Sequence, residues 1–257
     1  MKVAILAGGQ GSRLSEMTDR IPKPMIDIGG NPILWHIMKH YAHFGFREFV
    51  VALGYKGHVI KDYFINYHYH RSNLVVDLGS GRIDIQRRPH EDWKVHLLEA
   101  GVATQTGGRV KRLLEYARGE PLMLTYGDGV SDVDIAKLLR FHRRHGKAAT
   151  ITAVRPPARF GGLKFSTNRV TRFDEKPQIG EGWINGGFFI LEPRVLEYIE
   201  GDGTVFERSP LERLARDGEL MVYAHPGFWQ CMDTVRDMRL LDELWRTGKP
   251  PWKVWRR

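Results

Sequence analysis

Apolar and polar positions along this chain fall into short runs that alternate between strand and helix character. Lys2–Ala7 is a nearly continuous apolar run of strand length, and Pro32–His43 follows with Ile33, Leu34, Ile37, Met38 and Tyr41 at helical spacing. The pattern then predicts a strand over Glu48–Leu53 and a helix over Gly57–Asn66. A hairpin of Leu74–Leu78 and Arg82–Arg87 turns across Gly79-Ser80-Gly81. Next come a strand at Val95–Glu99, a helix at Gly108–Ala117, a strand at Leu122–Tyr126 and a helix at Asp134–His145. Strands alternating with helices imply an α/β fold with a mostly parallel, Rossmann-like sheet flanked by helices on both faces.

The texture changes after about Thr150. Short strands are expected at Thr150–Val154, Gly162–Ser166, Val170–Phe173 and Trp183–Leu191, joined by glycine-rich connections. Helices near Pro193–Glu200 and Pro210–Asp217, strands at Leu220–Ala224 and Phe228–Met232, and a closing helix at Arg236–Trp245 follow. No repeat, low-complexity tract or linker separates the halves, so the second half reads as a smaller, β-rich, substrate-binding elaboration of one domain. The tail, Lys249 to Trp255, sets two tryptophans beside cations; it is either packed on the body or an oligomer contact.

Bulk composition narrows the class. At 257 residues, 42% hydrophobic and 27% charged, the chain is an ordinary globular protein, and no apolar run reaches the ~20 residues of a membrane span. Met1-Lys2 runs into a strand with no signal-peptide core, so a cytoplasmic location is expected. The single cysteine, Cys231, excludes an intrachain disulfide and a multi-cysteine metal site. The net charge of +9 is spread over basic residues that often stand beside acids, and no DNA-binding motif is visible. Anionic small substrates explain the charge more economically than nucleic acid or a membrane.

The candidate chemistry begins where the first strand ends. Gly8-Gly9-Gln10-Gly11-Ser12-Arg13-Leu14 is a glycine-rich loop that lets backbone amides approach an anion, and Arg13 and Lys23 of Pro22-Lys23-Pro24-Met25 bring two fixed cations. Amides plus Arg and Lys suit a triphosphate. The loop is neither the dinucleotide fingerprint, since Leu14 stands where its third glycine belongs, nor a P-loop, since Gly11 is followed by Ser12-Arg13. Asp128 ends the apolar strand of Leu122–Tyr126, and Asp233 ends the segment from Gly227. Two carboxylates from separate strand ends facing a triphosphate loop are suited to Mg²⁺. A competing role for each strand-end acid is a helix N-cap, with Asp233 before one helix and Asp132 before another. Lys176 of Asp174-Glu175-Lys176-Pro177 suits a second phosphate, and Glu175 and Asn185 suit sugar hydroxyls; a surface ion-pair cluster is the alternative for Glu175 and Lys176. Thr104-Gln105-Thr106-Gly107-Gly108-Arg109, at a helix start, suits a base edge or phosphate.

Taken together, Leu6 to Leu14, Lys23-Pro24, Tyr126-Gly127-Asp128-Gly129, Glu175-Lys176-Pro177 and Asn185-Gly186-Gly187-Phe188 resemble the motifs of the sugar-phosphate nucleotidyltransferases. The likeness covers essentially the whole chain, and the Thr104–Arg109 and Gly227–Asp233 segments point to the cytidylyl branch acting on glucose 1-phosphate. The resemblance implies the nucleotide-diphospho-sugar transferase fold in one domain over 1–257. Its nucleotide-binding part would span about 1–150, and its sugar-phosphate-binding part with the C-terminal helix about 151–257. It implies CTP and glucose 1-phosphate as substrates, CDP-glucose and pyrophosphate as products, and a bacterial dideoxysugar or O-antigen role. By position, Leu6, Ala7, Gly8, Gly9, Gln10, Gly11, Ser12, Arg13, Lys23, Thr104, Arg109 and Gly127 would contact the nucleotide, with Arg13 and Lys23 the catalytic cations. Asp128 and Asp233 would hold Mg²⁺, and Glu175, Lys176 and Asn185 would face the sugar phosphate. A homo-oligomer is implied, with a hexamer as the candidate assembly. Gly161-Gly162-Leu163-Lys164 departs from the branch's usual alanine and acid, which bears on the sugar end. The alternatives are a transferase using another base or sugar, or a non-catalytic sugar-nucleotide sensor.

Overall fold

In the computed structural model the residues described are all but 12–13, 15–17, 87–90, 157–161, 167–168, 175–181 and 256–257, with 162–166 and 169–174 as backbone. The first half runs β1 (Lys2–Leu6), β2 (Asp27–Ile28), β3 (Asn31–Pro32), α1 (Ile33–His43), β4 (Glu48–Leu53), α2 (Gly57–Ile65), α3 (Tyr67–His70), β5 (Leu74–Asp77), β6 (Arg82–Ile85), β7 (Lys94–Glu99), α4 (Thr106–Tyr116), β8 (Leu122–Tyr126), β9 (Gly129–Ser131) and α5 (Ile135–His145). The second runs β10 (Ala149–Val154), β11 (Gly162–Ser166), β12 (Arg169–Asp174), β13 (Ile184–Leu191), α6 (Ser209–Arg216), β14 (Leu220–His225), β15 (Trp229–Cys231) and α7 (Val235–Arg246). Lys23–Met25 and Pro193–Tyr198 are 3₁₀ turns, the latter where an α-helix was expected.

Seven strands form one sheet in the order β14-β10-β13-β8-β1-β4-β7. The neighbours β8, β1, β4 and β7 are parallel, as are β10 and β14, while β13 runs antiparallel to both β8 and β10. The mostly parallel sheet expected from the pattern is present. The second half does more than elaborate it, because β10, β13 and β14 extend the same sheet.

Burial follows the pleat. Val3 and Ile5 of β1, with Phe49 and Val51 of β4, enter one core layer beneath α1, α5 and the tail tryptophans; Ala4, Leu6, Val50 and Ala52 enter the other, beneath α4. Side chains alternating between two buried faces require apolar residues at every position, which is why these strands read as unbroken apolar runs. From β1 the chain crosses to β4 and β7 on one side, while β8 lies on the other, so the order reverses between β1 and β8. Loops at the carboxyl ends of such a pair open a crevice.

Candidate functional site

Pairing between β9 and β15 builds the centre of the crevice. Gly129 is opposite Cys231 and Ser131 opposite Trp229, and the Met232 N–H donates to the Asp128 carbonyl at 2.8 Å. This ladder sets Asp128, just after β8, beside Asp233, just after β15. Asp233 is not the cap of α7: Thr234 is, its hydroxyl accepting from Asp237 N–H while Asp237 accepts from Thr234 N–H, a reciprocal capping box. Asp132 caps nothing either. Asp134 caps α5, accepting from Lys137 N–H at 2.8 Å, and Asp132 pairs with His225 at 2.8 Å. Asp233 lines the crevice instead.

Lys23 completes the centre. Its 3₁₀ turn is closed by Met25 N–H to the Pro22 carbonyl and Ile26 N–H to the Lys23 carbonyl, at 2.8 and 3.1 Å. Its Nζ donates to Asp128 Oδ2 and to Asp233 Oδ1, both at 2.6 Å, and the three side chains are 13%, 30% and 19% exposed. Burial pulls the ammonium's pKa down, but the two carboxylates outweigh it and the net displacement is upward. One cation between two strand-end acids is the arrangement a divalent metal would also accept.

Two cavities adjoin this triad. One, of about 270 Å³, is lined by Leu6, Ala7, Gly9, Gly11, Lys23, Pro24, Thr106, Arg109, Tyr126, Gly127, Asp128 and Asp233. The other, of about 290 Å³, is lined by Asn185, Gly186, Gly187, Thr125, Gly129, Trp229 and Cys231. They share Tyr126, Asp128 and Asp233.

Most residues singled out in the sequence meet here. Gly8 lies behind the first cavity, where a Cβ would come within 2.8 Å of the Arg109 guanidinium carbon and 3.0 Å of the Gly54 nitrogen, so a side chain there would push Arg109 from its place. Gln10 is exposed at the rim of the loop. Thr104 is buried and does not line the cavity; its hydroxyl accepts from Arg112 at 3.2 Å. Thr106, the first residue of α4 and part of the same Thr104–Arg109 segment, lines it instead. Ser12, Arg13, Glu175 and Lys176 lie outside the described residues.

Arg109 is unusual for its burial. It is 6% exposed, its hydrogen bond among the described residues goes to the Gly101 carbonyl at 3.4 Å, and its Nε has no partner. Burial, with Arg112 nearby, lowers its pKa. A buried guanidinium without a carboxylate among the described residues calls for acceptors from a ligand.

Residues 2–238 match the family model described as nucleotidyl transferase. The chain belongs to that family. This transferase is 50% identical over 256 residues, 99% of itself and all of the relative, to the glucose-1-phosphate cytidylyltransferase of Salmonella typhi. It is 44% identical, over the same shares, to a probable glucose-1-phosphate cytidylyltransferase of Bacillus subtilis. HddC from Yersinia pseudotuberculosis has the same fold, with a TM-score of 0.66 at 24% identity over 95% of this chain and 99% of that one.

Among the described residues, no three or more His, Cys, Asp or Glu side chains gather as a metal cluster. The donors available to a nucleotidyl transferase's divalent cation are therefore two carboxylates. That set fits Mg²⁺, which takes one or two protein carboxylates and fills its remaining positions with water and substrate phosphates. The Lys23 ammonium at 2.6 Å from both shows that the pair already accommodates positive charge.

Proposed function

We propose that this enzyme transfers the cytidylyl group of CTP to α-D-glucose 1-phosphate, giving CDP-glucose and pyrophosphate. The reading is carried by the two cavities that meet at Asp128 and Asp233: a triphosphate in one and a sugar phosphate in the other would bring their reacting phosphates to the same acids. The full-length cytidylyltransferase relatives support this choice of substrates.

Asp128 and Asp233 would hold Mg²⁺, which when bound supplies charge neutralisation at the triphosphate. A sugar phosphate is largely dianionic at pH 7, its second pKa lying near ~6, so its oxygen is already a nucleophile and no general base is needed. That oxygen bonds to the α-phosphorus of CTP as the bond from phosphorus to the bridging oxygen breaks, and pyrophosphate leaves with the electron pair. The chain's task is to align two anions and lower their repulsion. The Gly8–Gly11 loop would embrace the triphosphate, and Arg13 and Lys23 would stabilise the departing pyrophosphate. Glu175, Lys176 and Asn185 would hold the sugar phosphate.

Arg109 supports the choice of base. Its N–H groups match an edge with two adjacent acceptors, which cytosine offers at O2 and N3 and guanine at O6 and N7, so it argues against uracil and thymine, which carry N–H at N3, and the relatives decide between the other two. Pyrophosphate release with each nucleoside triphosphate against a panel of sugar 1-phosphates tests the whole reading. Turnover is expected with CTP and glucose 1-phosphate, and a preference for another pair would replace it.

The same proposal takes residues 1–257 as one domain with nucleotide-binding and sugar-phosphate-binding parts meeting near residue 150. The setting would be bacterial dideoxysugar and O-antigen synthesis in the cytoplasm, and no helix of the described residues is long and apolar enough to cross a membrane. A homo-oligomer, with the hexamer as candidate, is supported by the β5–β6 ribbon. Its register places Leu74 opposite Ile85 and Val76 opposite Ile83 on one face, and Leu74, Val76 and Ile83 are exposed. An all-apolar ribbon face is one built to be covered.

A further inference from the structure

The wall between the two cavities contains a hydrogen-bond chain whose directions are fixed by its own chemistry. Glu207, which is exposed and lines neither cavity, accepts from the Tyr126 hydroxyl through Oε1 at 2.6 Å and from Thr106 Oγ1 through Oε2 at 2.5 Å. A carboxylate only accepts, so both hydroxyls spend their protons on it. The Tyr126 oxygen then accepts from Asn185 Nδ2 at 3.1 Å, and Asn185 Oδ1 accepts from Gly187 N–H at 2.8 Å. Thr106 Oγ1 accepts from Phe206 N–H at 2.9 Å, which fastens the other end. Asn185 therefore has one amide orientation, and its second Nδ2–H has no acceptor among the described residues. Burial and the Glu207 charge push the Tyr126 phenol well above its ordinary pKa, so it stays a donor throughout the neutral range.

We propose that Glu207 is a positioning residue: through Tyr126 it holds the Asn185 amide with a free N–H for an acceptor oxygen of the second substrate. This rests on reading the Asn185 cavity as the sugar-phosphate site. The acceptor is either a sugar hydroxyl oxygen or a phosphate oxygen, and the two are told apart by their effect on specificity. A hydroxyl contact alters the ratio of activity on glucose, galactose and mannose 1-phosphates, whereas a phosphate contact weakens all three alike.

Glu207→Ala, Tyr126→Phe, their double variant and Glu207→Gln test it, with Asn185→Ala as reference. Steady-state constants and calorimetric affinities are measured for CTP and for glucose 1-phosphate. Glu207→Ala is expected to raise the KM and Kd for glucose 1-phosphate about tenfold, the weight of one charge-assisted hydrogen bond, and to change those for CTP by less, since Thr106 and Tyr126 also line the nucleotide cavity. The double variant should be no worse than Tyr126→Phe, because Glu207 acts through that hydroxyl. Glu207→Gln should recover most of the loss, since its carbonyl oxygen can still accept from Tyr126. Additive single effects, or a glutamine variant as impaired as alanine, would overturn the positioning role. So would a Glu207→Ala enzyme with normal sugar-phosphate constants while Asn185→Ala is impaired. If Asn185→Ala itself binds glucose 1-phosphate normally, the assignment of the cavity fails and the inference falls with it.

Discussion

Lys23 is held by two carboxylates at once, and its removal has consequences beyond a lost charge. Its raised pKa gives a contribution to stability fully present below the unfolded-state value of about 10.4 and lost as pH rises through the folded value. The ammonium therefore stays charged through the neutral range. Lys23→Met removes the cation that Asp128 and Asp233 share. The cost should be below the ~3–5 kcal/mol of breaking a fully buried pair, because the acids keep partial access to water. Without nucleotide, Mg²⁺ should then raise the melting temperature of Lys23→Met more than that of the wild type; equal shifts would mean that the cation binds elsewhere. Asp128→Asn and Asp233→Asn should each fold normally and lose at least ~100-fold in kcat at saturating Mg²⁺, and chelation by EDTA should stop the wild-type reaction reversibly. Undiminished turnover in either variant would remove that acid from the metal site. Both acids and Lys23 are legible in the sequence because each ends a strand or begins a loop. Their convergence is not, since it depends on β9 and β15 pairing across about 100 residues.

At the level of elements, α1 and the C-terminal tail form one unit around His36. Trp252 and Trp255 are 1% and 8% exposed, so the tail packs on the body. The His36 ring lies 4.6 Å from that of Trp245 and 6.0 Å from that of Trp252. Its Nε2 donates to the Ile28 carbonyl at 2.8 Å while Nδ1 accepts from Trp252 Nε1 at 3.4 Å, an arrangement only the neutral ring supplies. Burial lowers its pKa to about 4, the backbone hydrogen bonds offsetting only part of that effect and Lys253 adding to it. Between the unfolded value near 6.5 and about 4, the unfolded chain binds a proton that the folded one refuses, so stability falls as pH falls, by up to about 3 kcal/mol. Urea unfolding followed by tryptophan emission should show the stability gap between wild type and His36→Gln narrowing from pH 7 to pH 4.5; a constant gap would deny that His36 titrates in this window. The helical spacing of α1 was readable because it faces one core. The direction of β13 was not, because an apolar run has the same pattern whether it lies parallel or antiparallel to its neighbours.

For the whole molecule, the alternation of strands and helices was enough to foresee a sheet covered on both faces, but not that the second half would lengthen it. The glycine-rich connections after Thr150 suggest separate short strands, yet β13 inserts between β8 and β10 and joins the halves through one core. The β5–β6 ribbon stands outside that core. A lone two-stranded ribbon is marginal in water, and this one has Leu74, Val76 and Ile83 at 38%, 51% and 47% exposure, with Leu78 at 92% in its turn. Its opposite face pairs Val75 with Asp84 and Asp77 with Arg82, so the charges point away from the apolar side and leave that side free of them for a second copy. Replacing Val76 and Ile83 together by Glu places like charges on both sides of such a contact while touching no part of the crevice. Light scattering after gel filtration should give a multiple of 29.6 kDa for the wild type and a single protomer for the double variant, with turnover per protomer reporting whether assembly also shapes the site. A wild type that elutes at one protomer mass would dismiss the oligomer, and a variant that stays assembled would move the interface away from the ribbon.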